Sequence, residues 1–337
     1  MNKRFGLFLG LALFTLFSGC DVHEMPDNNA VDPTLIEVNI TLSIDIQFPT
    51  DTIFQTYAST QEGDYDIRYI VDIYDFDPNE PNSAGNRVQR LVQTEESFPA
   101  GGMYDFKDTL KLPAKEYQII TWIDYVDKGT NTDKYYNTQD LHSVSIIVDG
   151  QYQGYSVTRD AFTAKKEMDL TPYRGQRYVH YSAELETMRP FAIYQIITTD
   201  IEAYNTYHQS SYAPIQPAQT NIQYNLFFPM GYNTYLQTPI GFQTGVNYTY
   251  DIIEEVVPAQ EAIIASDYVF VSDDTFYMID FQIFSTDGKL INTISGLKIP
   301  LRQNAVTILR DEFLTKDLNN GNTGVNDQFD DEIIIYI

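Results

Sequence analysis

The chain has 337 residues, 21 Lys and Arg against 47 Asp and Glu, a formal net charge of −26, 14% aromatic residues and a single cysteine. So acidic a balance excludes nucleic-acid binding, which needs a basic surface to displace phosphate counterions, and excludes docking of the folded part onto anionic lipid. A lone cysteine excludes an internal disulfide and a multi-cysteine zinc centre.

The N-terminus reads as an export signal. Lys3 and Arg4 form a short basic start, residues 5–18 (FGLFLGLALFTLFS) are apolar apart from glycine and single hydroxyls, and Ser18 and Gly19 are small enough for a signal peptidase. The run is shorter than the ~20 residues of a membrane-spanning helix. A buried helix of the folded domain is the competing reading, but the segment has no polar face. Phe17-Ser18-Gly19-Cys20 resembles a bacterial lipobox, with Phe17 where Leu is more usual. Residues 1–19 are therefore expected to be a signal peptide and Cys20 the lipid-attachment residue. Each buried acyl methylene adds ~0.8 kcal/mol, so several acyl chains anchor stably where one is marginal. Outer-membrane lipid is thus the first expected partner. Removing residues 1–19 leaves 19 basic against 47 acidic residues.

Residues 20–34 are polar, acidic and without hydrophobic period, and are expected to be a lipidated, flexible tether. The next element is the clearest in the chain. Ile36, Val38, Ile40, Leu42, Ile44, Ile46 and Phe48 alternate with Glu37, Asn39, Thr41, Ser43, Asp45 and Gln47. Strict alternation predicts a long strand with one buried face. Further strands are expected at 66–76, 104–112, 116–126 and 142–150, separated by Gly-, Pro- and Asn-rich connections. TPYRGQR (171–177) reads as a junction, and strands are again expected at 177–186, 191–199, 220–229 and 267–274. The segment 276–294 reads as a hairpin turning at Asp287-Gly288. DIEAYNTYHQ (200–209) is a candidate short helix, and the chain ends in a strand-like EIIIYI (332–337). The expected fold class is all-β: an N-terminal antiparallel β-sandwich over 35–172 and a C-terminal one over 173–337.

Motifs for chemistry are sparse. His23, His142, His180 and His208 have no second histidine at ligand spacing, and no metal site is expected. G-x-S-x-G, the phosphate-binding GxxxxGK[ST] loop and the GxGxxG fingerprint are absent. DLNNGNTGVNDQ (317–328) alternates oxygen ligands as a calcium loop does, but Asn322 and Gln328 stand where the template needs Gly and Glu. The expectation is no enzymatic activity, no catalytic residues and no cofactor. The 26 tyrosines, many in loops (Tyr135, Tyr136, Tyr152, Tyr155, Tyr204, Tyr207, Tyr212, Tyr232, Tyr235), suit either half-exposed strand ends or stacking on sugars and proteins. Trp122, within the apolar stretch 116–126, is expected in the core.

The runs YDIRYIVDIY (65–74), EYQIITWIDYV (116–126), YYNTQDL (135–141), RDAF (159–162), MRPFA (188–192), IITTD (196–200) and QNAVTILRDEFLT (303–315) resemble surface lipoproteins of Bacteroidia related to the anchor and accessory subunits of type V pili, the fimbrillin group. The resemblance implies two transthyretin-like β-sandwiches, an outer-membrane, surface-exposed location, and pilus (fimbrial) subunits as partners that join by strand exchange. In that family a stalk subunit loses its first strand to a protease, often arginine-specific, and a strand from the next subunit fills the groove. Here no Lys or Arg lies between Cys20 and Arg68. The 35–48 strand is therefore expected to be retained, as an anchor or accessory subunit requires. The terminal residues Ile333, Ile334, Ile335, Tyr336 and Ile337 either close the second sandwich or are offered to a neighbour. The alternative function is a glycan- or protein-binding surface lipoprotein that does not polymerise.

Overall fold

The computed structural model describes residues 32, 34–45, 64–80, 85–96, 103–208, 216–252, 261–316 and 333–336. The expected signal peptide, Cys20, nearly all of the tether, Ile46, Phe48, Tyr212, Ile337 and the 317–328 loop lie outside them. In chain order the strands are β1 (Ile36–Asp45), β2 (Tyr65–Asp75), β3 (Arg87–Glu96), β4 (Met103–Leu112), β5 (Glu116–Asp127), β6 (Tyr136–Asn137), β7 (Val144–Ile146) and β8 (Ala161–Asp169). There follow β9 (His180–Glu186), β10 (Phe191–Thr198), β11 (Pro217–Tyr224), β12 (Phe228–Asn233), β13 (Thr238–Gln243), β14 (Asn247–Asp251) and β15 (Ala262–Phe270). The last are β16 (Thr275–Ser285), β17 (Leu290–Leu301), β18 (Val306–Asp311) and β19 (Ile333–Tyr336). The helix expected near 200–209 is α1 (Ile201–His208).

The chain is all-β, as its alternating patterns imply. Its sheets have the orders β4-β1-β9, β3-β2-β5-β8, β15-β10-β18-β19, β14-β11-β16-β17 and β13-β12-β7-β6. Most pairings are antiparallel, but β1 runs parallel to β9 and β10 parallel to β18. The inward side chains of β1, β4 and β9 pack on Ile67, Tyr69, Val71 and Ile73 of β2 to form the first core. The second lies between the β10 and β16 sheets, around Tyr194, Ile196, Tyr224, Phe281 and Leu309.

A third core joins them. Ile70, Tyr74, Ile120 and Trp122 on the other face of β2 and β5 meet Phe191, Ile193, Tyr268 and Phe270 of β10 and β15. This explains why β5 and β15 are buried almost end to end. A strand covered on both faces carries apolar residues without alternation. Trp122, at 0% exposure, lies in this shared core, as the sequence implies.

Four local differences from the sequence pattern have physical causes. The stretch 220–229 is two strands, because Asn225 turns the chain: its amide donates to the Met278 carbonyl (3.0 Å) and its side chain to Asp280 (2.8 Å). The stretch 142–150 keeps only β7, since Asp140 caps a 3₁₀ turn over 141–143 by accepting from the His142 amide. β3, a polar strand, has no apolar alternation to mark it. Residues 180–186, grouped by sequence with the second half, pair with β1, so the first sandwich draws its last strand from beyond residue 172.

Candidate functional site

The sequence places the functional question on the first strand, and the geometry around β1 is well defined. Ile36, Val38, Ile40, Leu42 and Ile44 are each 0% exposed, while the intervening polar residues stay half-exposed. β1 is the central strand of its sheet. Its register runs Ile36↔Leu112 to Asp45↔Met103 against β4, and Glu37↔His180 to Ser43↔Glu186 against β9. The outward side chains add local ties. His180 Nδ1 lies 2.9 Å from Glu37 Oε1, and the Thr109 hydroxyl donates to Asn39 Oδ1 at 2.8 Å. The Ser43 carbonyl accepts from both the amide and the hydroxyl of Thr187, each at 3.1 Å. Five fully buried aliphatic side chains contribute about 8–15 kcal/mol of gross burial at ~1.5–3 kcal/mol each, comparable with the whole net stability of a domain.

The first Lys or Arg after Arg4 is itself inaccessible. Arg68, in β2, is 2% exposed. Its guanidinium donates to both oxygens of Asp124 (2.9 and 2.8 Å), to Asp133 (2.8 Å) and to the Asn131 carbonyl (2.8 Å). The two carboxylates hold the Arg68 guanidinium charged against the cost of its burial. The sequence signal for this cluster is one Arg in an otherwise apolar and acidic strand, and its partners 56 and 65 residues along the chain leave no local pattern.

At the other end of the chain, β19 pairs antiparallel with β18, from Val306↔Tyr336 to Leu309↔Ile333. Ile333, Ile334, Ile335 and Tyr336 thus lie on the edge of the β10 sheet, at the opposite extremity of the sequence from the β1 sheet.

Charged groups in the interior cross-brace the layers. Arg159, preceding β8, reaches Asp267 of β15 (3.3 Å), and Asp267 also accepts from the phenols of Tyr152 and Tyr224, both at 2.8 Å. The Tyr194 phenol lies 3.0 Å from that of Tyr224 and 2.7 Å from that of Tyr248. Burial pushes the Asp267 carboxyl up, against the pull of Arg159 and the two phenols. Burial likewise pushes the Tyr194, Tyr224 and Tyr248 phenols far up, so they stay neutral donors. A second brace joins Arg189, between β9 and β10, to Asp160 through Nε (2.9 Å) and Nη2 (2.8 Å). A sealed network of this kind orients strands and fixes the relative placement of sheets. Among the described residues no group of three His, Cys, Asp or Glu is placed to hold a metal ion.

The tyrosines go mainly inward. Tyr136, Tyr152, Tyr204, Tyr232 and Tyr235 are buried at 0–6% exposure, Tyr135 and Tyr155 are half-buried, and Tyr207 is exposed at 82%. The five buried tyrosines are therefore core and network residues rather than a stacking surface. A buried phenol needs a partner: Tyr152 donates to Asp267, Tyr136 to the Arg159 carbonyl, and Tyr232 accepts from Gln303.

A family described as being of unknown function, DUF6562, matches residues 32–336. No curated protein matches the sequence. Among solved structures, the fimbrial anchor protein Mfa2 of Porphyromonas gingivalis aligns over 81% of this chain and 90% of its own, at 10% identity and a TM-score of 0.42. The tip fimbrial protein Mfa3 of the same organism aligns over 81% and 94%, at 10% identity and a TM-score of 0.39. A fimbrial assembly protein of Parabacteroides distasonis aligns over 82% and 90%, at 10% identity and a TM-score of 0.37.

Proposed function

We propose that this chain, which belongs to the family of unknown function DUF6562, is a non-enzymatic, lipid-anchored surface protein that serves as an anchor or accessory subunit of a pilus-like assembly. The observation that carries the reading is the buried, central position of the first strand, with no Lys or Arg between Cys20 and Arg68. β1 occupies the centre of its sheet with its five apolar side chains wholly buried. No Lys or Arg precedes Arg68 after Arg4, and Arg68 is sealed inside an ion cluster. A protease specific for basic residues therefore has no site from which to release β1. A subunit that keeps this strand keeps its own groove filled, and keeps Cys20 covalently joined to the fold. Such a subunit ends a chain of strand exchanges on that side, which is the role of an anchor or accessory component.

In this reading lipid on Cys20 holds the protein on the outer membrane, and the partner is a pilus subunit. β19, at a sheet edge, is the candidate element for exchange. Intact mass and N-terminal sequencing of the surface form test the first half: a lipidated N-terminus at Cys20 is expected, and a mature start near Asp51 overturns the anchor reading. Affinity capture of the lipidated protein from its own cells tests the second half. A ladder of co-purifying polymer is expected; its consistent absence under mild detergent overturns the pilus assignment. Deleting residues 332–337 separates the roles of β19, since lost folding marks a closing strand and intact folding with lost assembly marks a donated one.

A further inference from the structure

Sheet edges are the places where a β protein joins other chains, and proteins ordinarily guard them with Lys, Pro, bulges, short strands or covering segments. Nearly every edge here carries such a device. β4 has Lys107 and Lys111, β8 has Lys165 and Lys166, and β13 has Pro239 with Gly241 at φ +67°. β17 has Lys298, Pro300 and Gly296 at φ +70°; β6, β14 and β19 are at most five residues long. β15 is buried throughout, and β9 has charged or titratable side chains at His180, Glu184 and Glu186.

β3 is different. It is ten residues long and, among the described residues, pairs on one side only, with β2. None of its residues is buried, and Val88 and Val92 are 44% and 40% exposed. Its two arginines lean over the sheet face, and Arg87 keeps 39% of its side chain exposed. Arg90 Nε lies 3.2 Å from Asp72 and its other nitrogens donate to the carbonyls of Thr138 and Gln139; Arg87 reaches Asp72 (3.4 Å) and the Gln139 carbonyl (3.1 Å).

We propose that β3 is a pairing edge for a second copy of this chain, the two β3 strands running antiparallel about a two-fold axis at Val92. The argument for a second copy is charge self-complementarity. The strand is basic at its start (Arg87, Arg90) and acidic at its end (Glu95, Glu96). A two-fold axis perpendicular to the sheet keeps each sheet face aligned with its counterpart, so residues facing each other across the axis share a face. Centred on Val92, the register sets Val92 against Val92 and Arg90 against Thr94. Val88 has no partner in β2, where the register steps from Ile73↔Gln89 to Tyr74↔Arg87. That bulge shifts the pairing by one residue and brings Arg87 opposite Glu96. The combined sheet would contain eight strands. This interface depends neither on lipid attachment nor on strand exchange.

The test is sedimentation velocity, from micromolar to several hundred micromolar, on the chain from residue 20 with Cys20→Ser to prevent thiol dimers. A monomer–dimer equilibrium is expected. Val92→Lys, and separately Glu95→Lys/Glu96→Lys, should each raise the dimer Kd at least tenfold, with unchanged circular dichroism and urea midpoint. Directly opposed residues stand ~4.5–5.5 Å apart at Cα, within disulfide reach, so Val92→Cys should cross-link two copies on mild oxidation. A chain that stays monomeric throughout, or that dimerises without response to these substitutions and without the Val92 cross-link, overturns the proposal.

Discussion

Replacing Ile40 with alanine tests whether β1 is held as the central strand of a closed sandwich. Ile40 is 0% exposed, faces the core formed with Tyr69 and Val71, and stands between Asp108 of β4 and Ala183 of β9 in the ladder. The substitution removes three carbons from the core. At ~0.8 kcal/mol per buried methylene the transfer loss is about 2.4 kcal/mol. Paired strands on both sides limit collapse of the backbone, so a cavity cost adds to this and places the total at about 3–5 kcal/mol. Thr41→Ala, on the half-exposed face one residue on, should change stability by no more than about 0.5 kcal/mol. Urea unfolding followed by the fluorescence of Trp122 measures both, since the sole tryptophan is wholly buried beside the β2–β5 sheet. A loss below about 1 kcal/mol for Ile40→Ala, or equal losses for the two variants, would refute the burial of one face of β1 and with it the case for a retained strand.

Three further outcomes follow from the interior and the turns. Asp267→Asn leaves the buried Arg159 guanidinium without its counter-charge and should cost about 3–5 kcal/mol in urea unfolding; the paired replacement Arg159→Met/Asp267→Leu should recover part of that loss. Gly154 has φ +64°, and a Cβ there would lie 2.2 Å from a ring carbon of buried Tyr248. Gly154→Ala should therefore cost about 1–3 kcal/mol from overpacking and about 1–2 more from the left-handed backbone, visible as a lowered thermal midpoint. Asp287, in the β16–β17 turn, is held down to about 2 by hydrogen bonds from Lys289 and Ser285. A carboxylate depressed in the folded state stabilises it above the ordinary value of 3.8, and that support is lost as pH falls towards about 2. Asp287→Asn should flatten the thermal midpoint across that interval, and an unchanged slope counts against the bonded turn.

The sequence by itself determined the elements whose burial is one-sided. β1 announces itself through Ile36 to Ile44, the β16–β17 hairpin through its turn at Asp287-Gly288, and α1 through a break in the strand pattern. Period-two alternation is a local record of one face meeting a core and the other meeting water. The absence of Lys and Arg between Cys20 and Arg68 is likewise a property of the string alone. Tertiary structure decided the rest. Whether a loop tyrosine faces sugar or core depends on a partner far along the chain, as Tyr152 finds Asp267 across 115 residues. That β2 and β5 have no exposed face depends on a second sandwich stacking against them. That 180–186 belongs with β1 rests on a parallel pairing across more than 140 residues, which no local periodicity encodes. β3 carries no apolar stripe because it lies at the rim of the layers, where Leu91 alone of its residues packs on a core, so sequence pattern passed over it. Only its place at the end of a sheet shows, among the described residues, a long edge paired on one side.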